Sequence, residues 1–129
     1  MPEKQAHSAS KKKILIVEDE KPLAHALELK LRHEGFDTVS AYDGEEGLKE
    51  ALEGQYDLIL LDLIMPKLDG FAVLQELKAK KAKAGVIVLS NLGQDEDRKR
   101  AKDLGAMEYF VKANTPIAEI VRVLKENLH

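Results

Sequence analysis

Four short apolar blocks in this sequence each run into side chains that can do chemistry. Ile14-Leu15-Ile16-Val17 ends in Glu18-Asp19-Glu20, Leu58-Ile59-Leu60-Leu61 in Asp62, Val86-Ile87-Val88-Leu89 in Ser90, and Tyr109-Phe110-Val111 in Lys112. If these blocks are parallel strands of one sheet, their C-terminal ends share the crevice in which open α/β sheets bind ligands. Carboxylates gathered there repel one another unless one is protonated or a cation is bound. An all-oxygen donor set with few protein ligands and room for water suits Mg²⁺ better than Ca²⁺, which takes about six to eight oxygens. A carboxylate beside such an ion and a lysine can act as a nucleophile toward a phosphoryl group, and Asp62 is central enough for that role.

Composition narrows the field further. A length of 129 residues leaves room for one domain. The absence of cysteine excludes a disulfide framework, a thiolate metal site and a cysteine nucleophile, and sits most easily with a reducing, cytoplasmic location. A formal charge of -3, from 20 basic and 23 acidic residues, argues against a surface dedicated to nucleic acid or anionic membrane. The basic runs Lys11-Lys12-Lys13 and Lys78 to Lys83 lack interleaved aromatic residues and read as solvated surface, so no direct nucleic-acid contact is expected. No apolar run approaches the ~20 residues needed to span a bilayer, and the start of the chain has no signal-like h-region, so no membrane association is expected either. His25 and His33 read as exposed helix positions, His7 and His129 as tail residues, and none is given a metal role.

To bring the four strand ends together, the chain must alternate strand and helix. From Lys13 onward it does, giving five βα units, with Thr38-Val39-Ser40-Ala41 as the remaining strand; being weaker and alternating, it belongs at an edge. Residues 1–11 are polar and read as a disordered tail or leader before a domain over 12–129. Gly35, Gly54 and Gly105 each follow a helical stretch and precede a strand, where a left-handed residue closes a helix. Asp43 with Glu46 forms a capping-box pair, and Pro22 and Pro116 suit first turns, the latter with Thr115 as N-cap. Leu23, Leu27 and Leu31 stripe the first helix, and Ile117, Ile120, Val121, Leu124 and Leu128 the last. The fourth helix, roughly Gln94 to Leu104, offers only Ala101 and Leu104 as anchors and is expected to be the most loosely held element.

These residues resemble the receiver domains of two-component response regulators, the CheY-like superfamily, over about Lys12 to Leu128. The resemblance rests on Glu18-Asp19, on Asp62 followed by Leu63-Ile64-Met65-Pro66 and then Leu68-Asp69-Gly70, on Ser90 and on Lys112. It implies a flavodoxin-like (βα)5 three-layer sandwich with a parallel five-stranded sheet of order 2-1-3-4-5. It also implies a signalling phosphoacceptor and not an enzyme, one that assists only its own phosphorylation and dephosphorylation. Asp62 would take a phosphoryl group from the phosphohistidine of a histidine kinase or a histidine phosphotransfer protein. Mg²⁺, with Mn²⁺ as a substitute, would be held by Asp19, Asp62 and the backbone carbonyl of Ile64, and by Glu18 through water. Lys112 and Ser90 would grip the phosphoryl oxygens, while Ser90 and Tyr109 would form the switch and Phe110 would point into the core. The change would reach the face made by the fourth helix, fifth strand and fifth helix, a surface for a downstream protein or a second copy in a homodimer.

Departures from the family pattern carry their own expectations. Ala113 follows the lysine where the family commonly has a proline in a cis bond; although a non-proline cis bond costs ~2.5–4 kcal/mol, cis geometry at Lys112–Ala113 is the expectation. Asn91 replaces the small residue after the hydroxyl, and Ile64 cannot hydrogen-bond an attacking water through its side chain. Both restrict access to Asp62, so a long-lived phosphoryl group is expected. Among rival readings, a flavodoxin-like cofactor binder would set phosphate against the repelling Glu18-Asp19-Glu20. The Asp-x-Asp motif of aspartate-nucleophile phosphatases and the Gly-x-x-x-x-Gly-Lys of P-loop enzymes are missing. A degenerate receiver acting as a phosphorylation-independent interaction module ranks second, because every key residue type is present. Taken singly, the acids could be a solvated helix lead-in, Ser90 and Lys112 ordinary loop residues, and Tyr109 a half-buried packing residue; their joint placement argues otherwise.

Overall fold

Strands β1 (Lys13–Val17), β2 (Asp37–Ala41), β3 (Leu58–Leu61), β4 (Gly85–Ser90) and β5 (Ala106–Val111) alternate with helices along the chain. The helices are α1 (Lys21–His33), α2 (Gly44–Glu53), α3 (Gly70–Ala79), α4 (Asp95–Asp103) and α5 (Ile117–Asn127), with a 3-10 turn over Lys112–Asn114. These elements come from a computed structural model that describes residues 11–128. The expected tail over 1–11 therefore lies, except for Lys11, outside the described residues, as do His7 and His129.

All neighbouring strands pair in parallel in the order β2-β1-β3-β4-β5, as the resemblance implies, with β2 at an edge. Side chains alternate across the strands and divide the interior into two cores. Ile14, Ile16, Leu58, Leu60, Ile87 and Leu89 face α1 and α5, meeting Leu27, Leu31, Ile120 and Leu124. Leu15, Val17, Ile59, Leu61, Val86 and Val88 face α2, α3 and α4, meeting Phe71, Leu74, Leu77 and Ala101. Because the central strands are covered on both faces, β1 and β3 are apolar throughout apart from Lys13, which opens β1.

Most of the expected helix ends are present. Gly35 and Gly105 take φ of 97° and 104°. Asp43 accepts from the Glu46 N–H at 2.8 Å while Glu46 reaches back to the Tyr42 N–H at 2.8 Å. Three local expectations fail. Gly54 has φ -90°, not a left-handed value; its requirement is space, since a Cβ there would lie 2.5 Å from the Tyr56 ring and 3.0 Å from the Glu50 carbonyl oxygen. Pro116, with φ -65° and ψ 150°, takes the N-cap position of α5, and the Thr115 hydroxyl instead donates to the Val111 carbonyl at 2.9 Å. The Lys112–Ala113 bond is trans, as no described peptide bond is cis. Without a proline ring the trans amide is favoured by ~2.5–4 kcal/mol, and the chain turns through the 3-10 segment instead.

Candidate functional site

The register of the sheet delivers the acids to one place. Val17 pairs with Leu61, so the next residues, Glu18 and Asp62, leave adjacent strands side by side. Backbone bonds continue the ladder there, from the Asp62 N–H to the Val17 carbonyl and from the Glu18 N–H to the Ala41 carbonyl, both at 3.0 Å. Glu18 and Asp62 are buried, at 2% and 4% exposure, and Asp19 is the more open of the three. One carboxylate oxygen from each lies within 4.8 Å of the others.

Lys112 arrives from the end of β5 and is shared among three carboxylates. Its Nζ donates to Glu20 Oε2 at 2.8 Å and to Asp62 Oδ2 at 3.0 Å, and lies 2.8 Å from Glu18 Oε1. The last contact is close but out of line, leaving Glu18 Oε1 buried without a hydrogen-bond partner; Glu18 Oε2 accepts from the Glu20 N–H at 2.9 Å. Burial pushes the Glu18 carboxyl up to about 7, with the charge of Asp62 adding to the rise and Lys112 only partly opposing it. Burial alone would lower Lys112, but its carboxylate partners hold it above the ordinary lysine value. The ammonium bonds two of these carboxylates and leaves Glu18 Oε1 unpaired. The orphaned oxygen and the all-oxygen donor set fit a hard divalent cation, which Glu18, Asp19 and Asp62 could hold.

The loop after β3 is shaped around Asp62. Asp62 Oδ1 accepts from the Ile64 N–H at 3.1 Å, and the Gly70 N–H returns to the Leu63 carbonyl at 2.9 Å. A Cβ on Gly70 would stand 2.4 Å from the Asp62 carbonyl oxygen and 2.5 Å from Leu63 Cα, so only glycine lets α3 start here. Asp69 caps that helix through the Ala72 N–H at 3.0 Å. Lys67, with φ 71°, takes the strained turn that the loop requires.

Ser90 ends β4 and is fully buried; its Oγ accepts from the Leu92 N–H at 3.4 Å, a long bond that leaves the hydroxyl free to take another partner. The Tyr109 hydroxyl donates to the Leu92 carbonyl, and the Arg98 guanidinium lies 5.1 Å over its ring. Tyr109 thus ties β5 to the loop that carries Ser90, while Phe110 packs against the α1–α5 core. Ile64, 53% exposed, and Asn91, also exposed, stand in the loops after β3 and β4. The structure therefore gathers Glu18, Asp19, Asp62 and Lys112, with Ser90 at the end of the next strand. Sequence reasoning gives no role to Glu20 or Lys67. A third acid directly after the pair was the available signal for Glu20; nothing in the residue type signals a left-handed Lys67.

The family model described as the response regulator receiver domain matches residues 14–125. The chain belongs to this family. It is the phosphoacceptor module of a two-component system. Among similar proteins, the response regulator ArlR of Staphylococcus saprophyticus is 41% identical over 100 residues, covering 78% of this chain and 45% of that protein. The alkaline phosphatase synthesis transcriptional regulatory protein PhoP of Bacillus subtilis is 38% identical over 105 residues, covering 81% and 44%. The chain thus spans just under half the length of these curated relatives. The response regulator TrrA of Thermotoga maritima, solved in complex with Mg(2+)-BeF, is 35% identical with a TM-score of 0.79, covering 91% of this chain and 99% of that one. The receiver domain of the Francisella response regulator 1452 is 31% identical with a TM-score of 0.86, covering 91% and 96%. Among the described residues no helix is long and apolar enough to cross a membrane.

Proposed function

We propose that Asp62 accepts the phosphoryl group, from a phosphohistidine on a histidine kinase or a histidine phosphotransfer protein. The observation that carries this reading is the Lys112 ammonium 3.0 Å from the Asp62 carboxylate, beside a buried glutamate oxygen that lacks any hydrogen-bond partner. Asp19, Asp62 and the Ile64 backbone carbonyl would hold Mg²⁺, or Mn²⁺ in its place, with Glu18 acting through water. When bound, the ion supplies positive charge against the oxygens of the incoming group.

In the transfer, a carboxylate oxygen of Asp62 forms a bond to phosphorus as the phosphorus–nitrogen bond of the phosphohistidine breaks, and the histidine leaves as a neutral imidazole once protonated. Lys112 neutralises charge on the transferred group and Ser90 donates its hydroxyl to it, which is the positioning and electrostatic work that phosphoryl transfer demands. Pulling Ser90 toward the new charge would move the loop that Tyr109 holds, and with it α4. The α4-β5-α5 face is then the surface for a downstream protein or a second copy, in a module spanning 12–129 that works in the cytoplasm. Catalysis on other molecules forms no part of this reading. No feature of the site favours the passive interaction module.

Incubating the full chain with Mg²⁺ and acetyl phosphate or phosphoramidate and weighing it intact tests the assignment. One phosphoryl group should be gained, and the gain should vanish in Asp62→Asn; no gain with any donor would overturn it. The decay of that gain should be slow and should quicken in Ile64→Asn, where an amide can orient water. Unchanged or slower decay in the variant would refute the role given to Ile64.

A further inference from the structure

Lys112 is hemmed in by carboxylates before any phosphoryl group arrives. Its ammonium has three N–H donors, and its neighbours are Glu18 Oε1, Glu20 Oε2 and Asp62 Oδ2. A phosphoryl oxygen that it holds must enter among these negative oxygens, and repulsion between like charges favours the departure of one of them. Asp62 stays, because it carries the group. Glu18 is walled in, its side chain 3% exposed and its other oxygen held by the Glu20 N–H. The Glu20 side chain is 57% exposed and bonds only Lys112 among the described residues. It alone can swing into water.

A second feature shows where the released carboxylate belongs. Glu20 is the N-cap residue of α1, yet its side chain makes no capping hydrogen bond, and the first turn of α1 contains no acidic residue. Helix starts favour negative charge and side-chain acceptors. The ion pair with Lys112 therefore diverts from α1 a carboxylate that the helix start would otherwise attract.

We propose that Glu20 is a built-in competitor for Lys112: it holds the ammonium in the unphosphorylated state, yields it to the phosphoryl oxygen, and turns back toward the start of α1. This inference rests on Asp62 being the phosphoacceptor. Glu20 is a positioning residue, acting on the transferred group through Lys112. Replacing it by glutamine removes the competitor while leaving Glu18, Asp19, Asp62 and Lys112 unchanged. The lost exposed ion pair corresponds to a gain of about two- to fivefold in affinity for the phosphoryl group or its mimic.

The test uses beryllofluoride with saturating Mg²⁺ as the phosphoryl mimic, titrated into wild type and Glu20→Gln and followed by fluorine NMR. Half-saturation should fall about two- to fivefold in the variant, and half-saturation for Mg²⁺ alone should not fall, because neutralising an acid beside the cation site cannot favour the cation. In carbon-labelled wild type, the Glu20 side-chain carboxylate resonance should shift as beryllofluoride binds, which a merely structural residue would not show. An unmoved resonance, or a variant that binds the mimic no more tightly than wild type, overturns the proposal. Failure of wild type to bind the mimic or to take a phosphoryl group would instead overturn the Asp62 assignment beneath it.

Discussion

Glu18 shows how a binding site is bought with stability. Its carboxyl is raised from 4.5 to about 7, first by burial and then by Asp62. Because the folded-state value lies above the unfolded one, the folded chain holds this proton more tightly. The stability this gives is fully present below about pH 4.5 and is lost as the pH climbs through about 7. In buffer free of divalent cations, the urea midpoint of wild type should therefore fall across that window from this residue's contribution. Glu18→Gln should flatten the fall and be the more stable protein at pH 8, by at most on the order of 3 kcal/mol. Parallel pH curves for the two proteins would contradict this. Asp62, Ser90 and Lys112 were legible in the sequence because each closes an apolar block, and strand ends converge whatever the loops do. The contact of Glu20 was not, since its partner is a lysine 92 positions away that only the folded sheet brings to it.

At the scale of the element, α4 stands apart. It buries Ala101 alone, whereas α5 buries Ile120, Val121, Val123 and Leu124. The half-buried Leu104 at the C-cap of α4 joins the same core as Ala101, and the other attachments of α4 are cationic: Lys78 of α3 donates to the Asp103 carbonyl at 2.8 Å, and Arg100 lies 4.1 Å over the Phe71 ring. Contacts of this kind at an exposed surface are worth little each and weaken with salt. Backbone amides of α4 should therefore exchange with deuterium faster than those of α1 and α5, by about tenfold or more, which corresponds to ~1.4 kcal/mol. Equal protection in the three helices would show that α4 is held by something else. The sparse anchoring of α4 and the stripes of α1 and α5 could be read from side-chain spacing. The extended backbone of Gly54 at the end of α2 and the start of α5 at Pro116 could not, because each involves a neighbour: the Tyr56 ring in one case, the Val111 carbonyl that claims Thr115 in the other.

Across the whole molecule, the sheet is a partition as well as a scaffold. One core joins α1 and α5 to the sheet, and the other joins α2, α3 and α4. The β3–α3 loop and the loop from Ser90 to α4 both continue into helices of the second layer. This organisation was legible in outline, since five alternating units with apolar central strands admit few parallel arrangements. What the alternation could not reveal is how unequally the helices of the two layers are anchored. The layer of α1 and α5 is anchored by large aliphatic side chains, beyond the first residues of α1, and Tyr109 packs against the other layer. A protein engineer could therefore treat the two halves as separate materials. A biosensor built on this domain could be made heat-resistant by substitutions along the core-facing stripes of α1 and α5, leaving α4 and the exposed side of α5 to carry the response.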